Sequence, residues 1–285
     1  MAAEISDLIE KTHLANLAFS DSEFKRIADL MYAAVGLSYN DSKKSLIHSR
    51  LAPRIQKLGL SGFAEYVGIL EDESEAAEFQ MAVDLLTTNE TYFFREPKHY
   101  DLLQQELPNF PDKAALKVWS AASSFGDEAY STAMLLSDLQ VSGRIGPNWS
   151  IVATDISHRV LLSAKEAVFP EDRLRAVTPD RLRRYCLRGE GESAGQVMMQ
   201  DKIRSRVQFG QLNLCKPFGG LGPFDVIFLR NVLIYFDPPT KVDVVDRVLE
   251  LLKPGGLFFL GTAEGRVPCK TPLQTVIPGA FRKVG

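Results

Sequence analysis

The chain has 285 residues, 45% hydrophobic and 24% charged, with 36 acidic against 33 basic side chains and a formal net charge of -3. This is the composition of an ordinary folded protein with room for two domains, and the near balance of charge excludes a global field that would gather nucleic acid or an anionic membrane. Its cysteines, Cys186, Cys215 and Cys269, are odd in number and lack a C-x-x-C spacing, which argues against a disulfide framework or a zinc site and for a reducing, cytoplasmic setting.

The first residues, MAAEISDLIEKTH, are acidic where a secretory signal is basic, and no apolar run is long enough to span a bilayer. Residues 1–80 read as an all-helical domain. Ser20-Asp21-Ser22-Glu23 predicts a capped helix start, and Phe24, Ile27, Ala28, Met31 and Ala34 then recur at helical spacing until Gly36. A second helix is predicted over about 42–58, with Leu46, Ile47, Leu51 and Ile55 on its apolar face. Lys43, Arg50, Arg54 and Lys57 share one stripe of it that no acidic residue interrupts. That stripe is open to two readings, a solvated face or a docking surface for an acidic partner. A third helix over about 62–70 leads to Glu71, Asp72, Glu73, Glu75 and Glu78, read as solvated surface.

Residues 81–92 are expected to link this domain to a second one over 93–285 and to contribute to its ligand site. The stretch LLTTNETYFFREPKHY, Leu85 to Tyr100, sets hydrogen-bonding side chains beside aromatic rings, and Pro97 is suited to begin a helix. Leu116 to Leu136 then reads as strand, tight turn and helix, with small residues from Ser120 to Ser124 and one glycine, Gly126, in the turn. Small residues there let a ligand approach the backbone and the free N–H groups of a helix start. A full G-x-G-x-x-G is absent, so the turn suits a nucleoside without a pyrophosphate, such as S-adenosylmethionine. Asp155 ends the next apolar run, where an acidic side chain pairs with ribose hydroxyls.

Further on, helices are predicted near 157–167, 178–185 and 238–252, and strands at Val207 to Phe209, at Phe224 to Leu229 (FDVIFL) and at Leu257 to Leu260, with Lys253-Pro254-Gly255-Gly256 closing the last helix. This is the β-α-β cadence of an open parallel sheet with its ligand at the carboxyl ends of the strands. Ser120, Asp155, Asn213 and Asn231 all fall at such ends. Residues 183–209 interrupt the cadence: a short β-prone run, a turn with three glycines and two further β-prone segments predict a small antiparallel flap, its third strand from Arg204 to Phe209.

VWSAASSFGDEAYSTAMLL, ATDISHRVL, RNVLIYFD and LLKPGGLFFLGTAE, with LLTTNETYFFRE upstream, resemble the bacterial chemotaxis receptor methyltransferases of the CheR family over nearly the whole chain. The resemblance implies an α/β, Rossmann-like methyltransferase sheet with a small antiparallel β-subdomain, behind a helical amino-terminal domain. It implies an enzyme that transfers a methyl group from S-adenosylmethionine to glutamates on the cytoplasmic helices of chemoreceptors. The family's cofactor contacts fall on Asn89, Thr91, Arg95, Glu128, Asp155, Asn213, Leu214, Arg230 and Asn231, and Tyr235 matches a tyrosine near the methyl group. Related members grip a receptor's carboxyl-terminal tail with the β-subdomain. Ala129 stands where many members have proline, and Phe125 where threonine is common.

A glutamate side chain, with a pKa of about 4.3, is already an anion at neutral pH and needs no general base to attack a sulfonium methyl. This fits the lack of a Ser/His or His/Asp constellation, and surface or capping roles are expected for His13, His48, His99 and His158. Arg95 is expected to pair with the cofactor carboxylate or to hold the incoming glutamate, and Tyr235 to donate to that glutamate. Two other classes stay open: a methyltransferase of this fold acting on a small molecule or nucleic acid, and a cofactor-loaded module that signals without turnover.

Overall fold

A computed structural model describes residues 17–111 and 115–285; His13 lies outside them. The described residues up to Thr88, with Tyr235–Asp237, form one compact unit, and Asn89–Ile234 with Pro238–Gly285 form another.

Four helices make the first unit. Asp21–Val35 starts in a capping box, in which Ser20 Oγ accepts from Glu23 N at 3.2 Å and Glu23 Oε2 accepts from Ser20 N at 2.7 Å. Gly36, in the left-handed region at φ 74°, ends it. Phe24, Ile27, Met31 and Val35 are buried, and their helix packs on Phe63–Glu71, which in turn meets Lys44–Lys57 and Ala76–Leu86. The last of these helices occupies the first half of the expected 81–92 linker, because Ala82, Val83 and Leu86 belong to the core.

One expectation fails in this unit. Glu78 is not solvated: it is 8% exposed and accepts from Tyr66 Oη at 2.8 Å and from Arg54 Nε at 3.0 Å. Burial works against its charge, but Arg54 and Tyr66 hold its carboxyl below the usual range. The cation stripe is therefore divided. Arg54 is tied to Glu78, and Arg50 donates to the carbonyls of Leu86 at 2.8 Å and Thr87 at 3.1 Å, closing a helix end, while Lys43 and Lys57 stay exposed.

The second unit is built on seven strands, β1 (Lys117–Ser120), β2 (Ser150–Asp155), β6 (Val207–Gln211), β7 (Phe224–Leu229), β8 (Leu252–Leu260), β9 (Leu273–Ile277) and β10 (Ala280–Lys283), in the order β6-β2-β1-β7-β8-β10-β9. The first five pair in parallel and the β9–β10 hairpin adds antiparallel strands. Every residue of β7 is buried, as a strand covered on both faces must be. Helices Asp127–Val141, His158–Glu166 and Pro238–Glu250 cross between strands. The chain runs outward from β1 through β2 to β6, then returns to the other side of β1 at β7. The order reverses there, which opens a crevice beyond the carboxyl ends of β1 and β7.

The chain departs from expectation in three places. Residues Lys253 to Gly256 do not close a helix but bulge within β8, because Leu252 already pairs with Phe224. The β9–β10 hairpin was not foreseen. The flap is present as β3 (Val168–Pro170), β4 (Cys186–Arg188) and β5 (Gln196–Met199), in the order β3-β5-β4. Its third strand is β3, whereas Val207 and Phe209 turn into the main core and pair with β2. Among the described residues, no helix is long and apolar enough to cross a membrane, and no cluster of His, Cys, Asp or Glu is grouped to hold a metal.

Candidate active site

The loop leaving β1 is strained. Ser124 has φ 50° and Gly126 φ 91°, values that cost a residue with a side chain about 1 kcal/mol or more and persist where the surroundings impose them. Gly126 is demanded by the protein's own packing as well: a Cβ there would lie 3.1 Å from Phe209 and 3.2 Å from Ala164 and Tyr130. The strain has a visible product. It aims Ser124 N at Asp155, whose Oδ2 accepts from it at 2.8 Å while Oδ1 accepts from Ser157 N at 3.0 Å. Asp155 is 7% exposed at the tip of β2. Ser123 Oγ, beside it in the loop, is buried with no hydrogen-bond partner.

Glu128, in the first turn of the following helix, joins β1 to β7. Its Oε1 accepts from Ser120 Oγ at 2.5 Å and its Oε2 from Arg230 Nε at 2.6 Å. Arg230 also donates from Nη1 to the Arg95 carbonyl at 2.7 Å and from Nη2 to Tyr100 Oη at 3.2 Å. Burial opposes its charge, yet the carboxylates of Glu128 and Glu96 hold it above its ordinary value. The guanidinium is thus a strut, which leaves the backbone of Arg230 for any ligand. Asn231 follows at φ 58°. Its N–H, with those of Leu233 and Gly261, donates to Glu264 at 2.7–2.8 Å. Glu264 so fastens the end of β7 to the end of β8; sequence reasoning missed it, though it lies in the quoted GTAE. Burial pushes its carboxyl up, against those donors.

The segment 89–96 is fastened to the same crevice. Asn89 O accepts from Ser124 Oγ at 2.9 Å, and Phe94 N donates to Ser131 Oγ at 2.9 Å. Phe94 and Glu96 take positive φ values of 54° and 61°. Arg95 donates from Nη1 to Glu90 O at 3.1 Å, its guanidinium 5.9 Å from the centre of the Tyr92 ring. On the far side of β2, Asn213 Oδ1 accepts from Cys215 N at 2.9 Å and Leu214 is buried. Hydrogen bonds therefore link Asn89, Glu128, Asp155, Arg230 and the backbone of Arg95 to one set of strand ends. Tyr235 falls in the helical unit, its carbonyl accepting from Ser38 N at 3.0 Å. His99 is no surface residue: it is 1% exposed, with Nε2 3.2 Å from Pro278 O. Burial first, then Arg230, push its pKa down, against Pro278 and Glu96.

Residues 89–277 match the model of the CheR methyltransferase SAM binding domain, and residues 22–87 match that of the CheR methyltransferase all-alpha domain. The chain belongs to the CheR methyltransferase family. A chemotaxis protein methyltransferase of Escherichia coli strain K12 is 40% identical over 249 residues, 87% of this chain and 86% of that one. The enzyme of the same name from Salmonella typhimurium is 38% identical, covering 92% of this chain and 90% of its own. Chemotaxis protein methyltransferase 2 of Pseudomonas aeruginosa is 39% identical, covering 90% and 91%. The CheR chain described here is a methyltransferase of chemotaxis that uses S-adenosylmethionine as its methyl donor.

Proposed function

We propose that this CheR enzyme transfers methyl groups to glutamate side chains of chemoreceptors and does so in the crevice at the strand-order reversal. The observation that carries the reading is Asp155, a carboxylate fixed by two backbone N–H donors at the tip of β2, beside the reversal of strand order. The unpartnered Ser123 hydroxyl in the adjoining loop supports it, since a buried orphan of this kind suits a polar ligand. The residues present fit a nucleoside cofactor. Asp155 would accept from its ribose, Glu128 and Arg95 would meet its amino-acid end, and Asn89, Thr91, Asn213, Leu214, Arg230 and Asn231 would complete the walls.

Bound S-adenosylmethionine supplies a methyl group on a positively charged sulfonium. The chain's task is positioning, because a glutamate with a pKa of about 4.3 is ionised at neutral pH and needs no base. Arg95, braced by Glu90 O, holds the incoming carboxylate, and Tyr235 donates a hydrogen bond to it. His99 is spent on Pro278 and the Arg230 cluster and takes no part. Receptor docking falls to the exposed Lys43 and Lys57, and a receptor tail is gripped by strand addition at the edge strand β4, where Leu187 is 49% exposed. Incubation with labelled cofactor and chemoreceptor-bearing membranes tests the reading. Label on the receptors as a base-labile ester is expected; label on small molecules or nucleic acid, or none, overturns it.

A further inference from the structure

Arg173 sits outside the crevice, in the single turn Glu171–Leu174 that follows β3. Its fork spans both carboxylate oxygens of Asp127. Nε donates to Asp127 Oδ1 at 3.1 Å and Nη2 to Asp127 Oδ2 at 2.5 Å, and Asp127, 0% exposed, is the first residue of the helix that starts the cofactor loop's exit. The same guanidinium lies 4.8 Å from the centre of the Phe125 ring and 5.6 Å from that of Phe169. Arg159 approaches Phe125 as well, at 5.9 Å. Phe125 lies between Ser124 and Gly126, both at positive φ. Phe169, on β3, meets Phe93 edge-on at 5.0 Å and Tyr130 at 5.8 Å.

We infer that Arg173 is a positioning residue for the cofactor. It acts through Phe125 and Asp127, which bracket Gly126, and holds the loop in the strained shape that delivers Ser124 N to Asp155. A left-handed non-glycine residue relaxes unless its neighbours over-determine it, and here one side chain fixes the ring after Ser124 and the carboxylate after Gly126. Phe125 thereby acquires a role, because its ring is the face that the guanidinium covers. Lysine cannot substitute for Arg173, since it lacks the planar fork that spans both oxygens of Asp127 while stacking. The same contacts anchor β3 of the small sheet to the loop.

This inference rests on the cofactor site proposed above, and the test separates the two. Calorimetric titration with S-adenosylhomocysteine is made on the full chain and on Arg173→Gln, Arg173→Lys, Phe125→Leu, the Arg173→Gln/Phe125→Leu pair and Asp155→Ala, with methyl-transfer rates taken against cofactor concentration. The dissociation constant is expected to rise about tenfold in Arg173→Gln and Arg173→Lys and about threefold in Phe125→Leu, with the pair losing less than the product of the singles, as residues in contact do. The cofactor KM rises in step, while kcat moves less than KM. Native affinity in Arg173→Gln and Phe125→Leu, alongside a weakened Asp155→Ala, overturns the role of Arg173 alone; native affinity in Asp155→Ala overturns the site. Where Arg173→Gln fails to fold, Phe125→Leu decides by the same comparison.

Discussion

Arg54 and Glu78 lie 24 residues apart, and their pairing changes what a substitution there means. Arg54→Ala strands a carboxylate within the helical unit and is expected to cost about 2 kcal/mol, the scale of a hydrogen bond to a charged group, read as a lowered urea midpoint. Reversing Lys43 and Lys57 to glutamate should leave that midpoint in place and raise the KM for receptor. Exposed charges are screened over about 8 Å at physiological salt, so the rise should shrink as salt is added; an unchanged KM at low salt would remove both lysines from docking. Asp127 makes a second prediction. Burial pushes its carboxyl up to about 6 from an ordinary 3.8, against the Arg173 guanidinium. A carboxyl raised on folding contributes stability that is complete below its unfolded pKa and is lost as pH rises through its native one. The stability of the native chain relative to Asp127→Asn should therefore fall between pH 3.8 and about 6 and be flat above. A difference that grows with pH would contradict the assignment. For Tyr235, Tyr235→Phe should lower kcat with little change in affinity for S-adenosylhomocysteine, the mark of a contact made in the transition state. Parallel losses would make it a pocket wall.

Elements declared themselves in the sequence where their signals are local. The Ser20/Glu23 box, the Gly36 stop and the apolar run of β7, broken only by Asp225, each need only a few adjacent residues, and each is in place. The missed or misassigned elements depend on distant partners. β3 is three residues long and exists because β5, beginning at Gln196, comes back to pair with it. β8 extends back to Leu252 because Phe224 draws it into the ladder through a bulge at a proline and two glycines, residues that read locally as a stop. The turn joining β4 to β5 is tight: a Cβ on Gly189 would stand 2.1 Å from Ser193 O. Excising Gly189 to Gly195 should therefore unmake the β4 edge. Binding of a synthetic receptor-tail peptide is expected to vanish while S-adenosylhomocysteine still binds; peptide binding that survives the excision would move the tail site elsewhere.

At the level of the molecule, the parallel sheet and its strand ends were legible before their wiring. Strand ends carrying Ser120, Asp155, Asn213 and Asn231 mark a crevice once the cadence is read as a parallel sheet, because ligands in such sheets collect where strand order reverses. The struts that shape the crevice were not legible. Glu264 bonds three N–H groups that lie up to 33 residues before it, and Arg230 reaches Glu128 across 102 residues; no periodicity or spacing reports such closures. The account's central claim is that Asp155 anchors the cofactor at this reversal. Calorimetric titration of S-adenosylhomocysteine into the native chain and Asp155→Ala tests it most directly. A loss of about 1.5–3 kcal/mol in binding free energy is predicted, with the thermal midpoint little changed; equal affinities for the two proteins would contradict it.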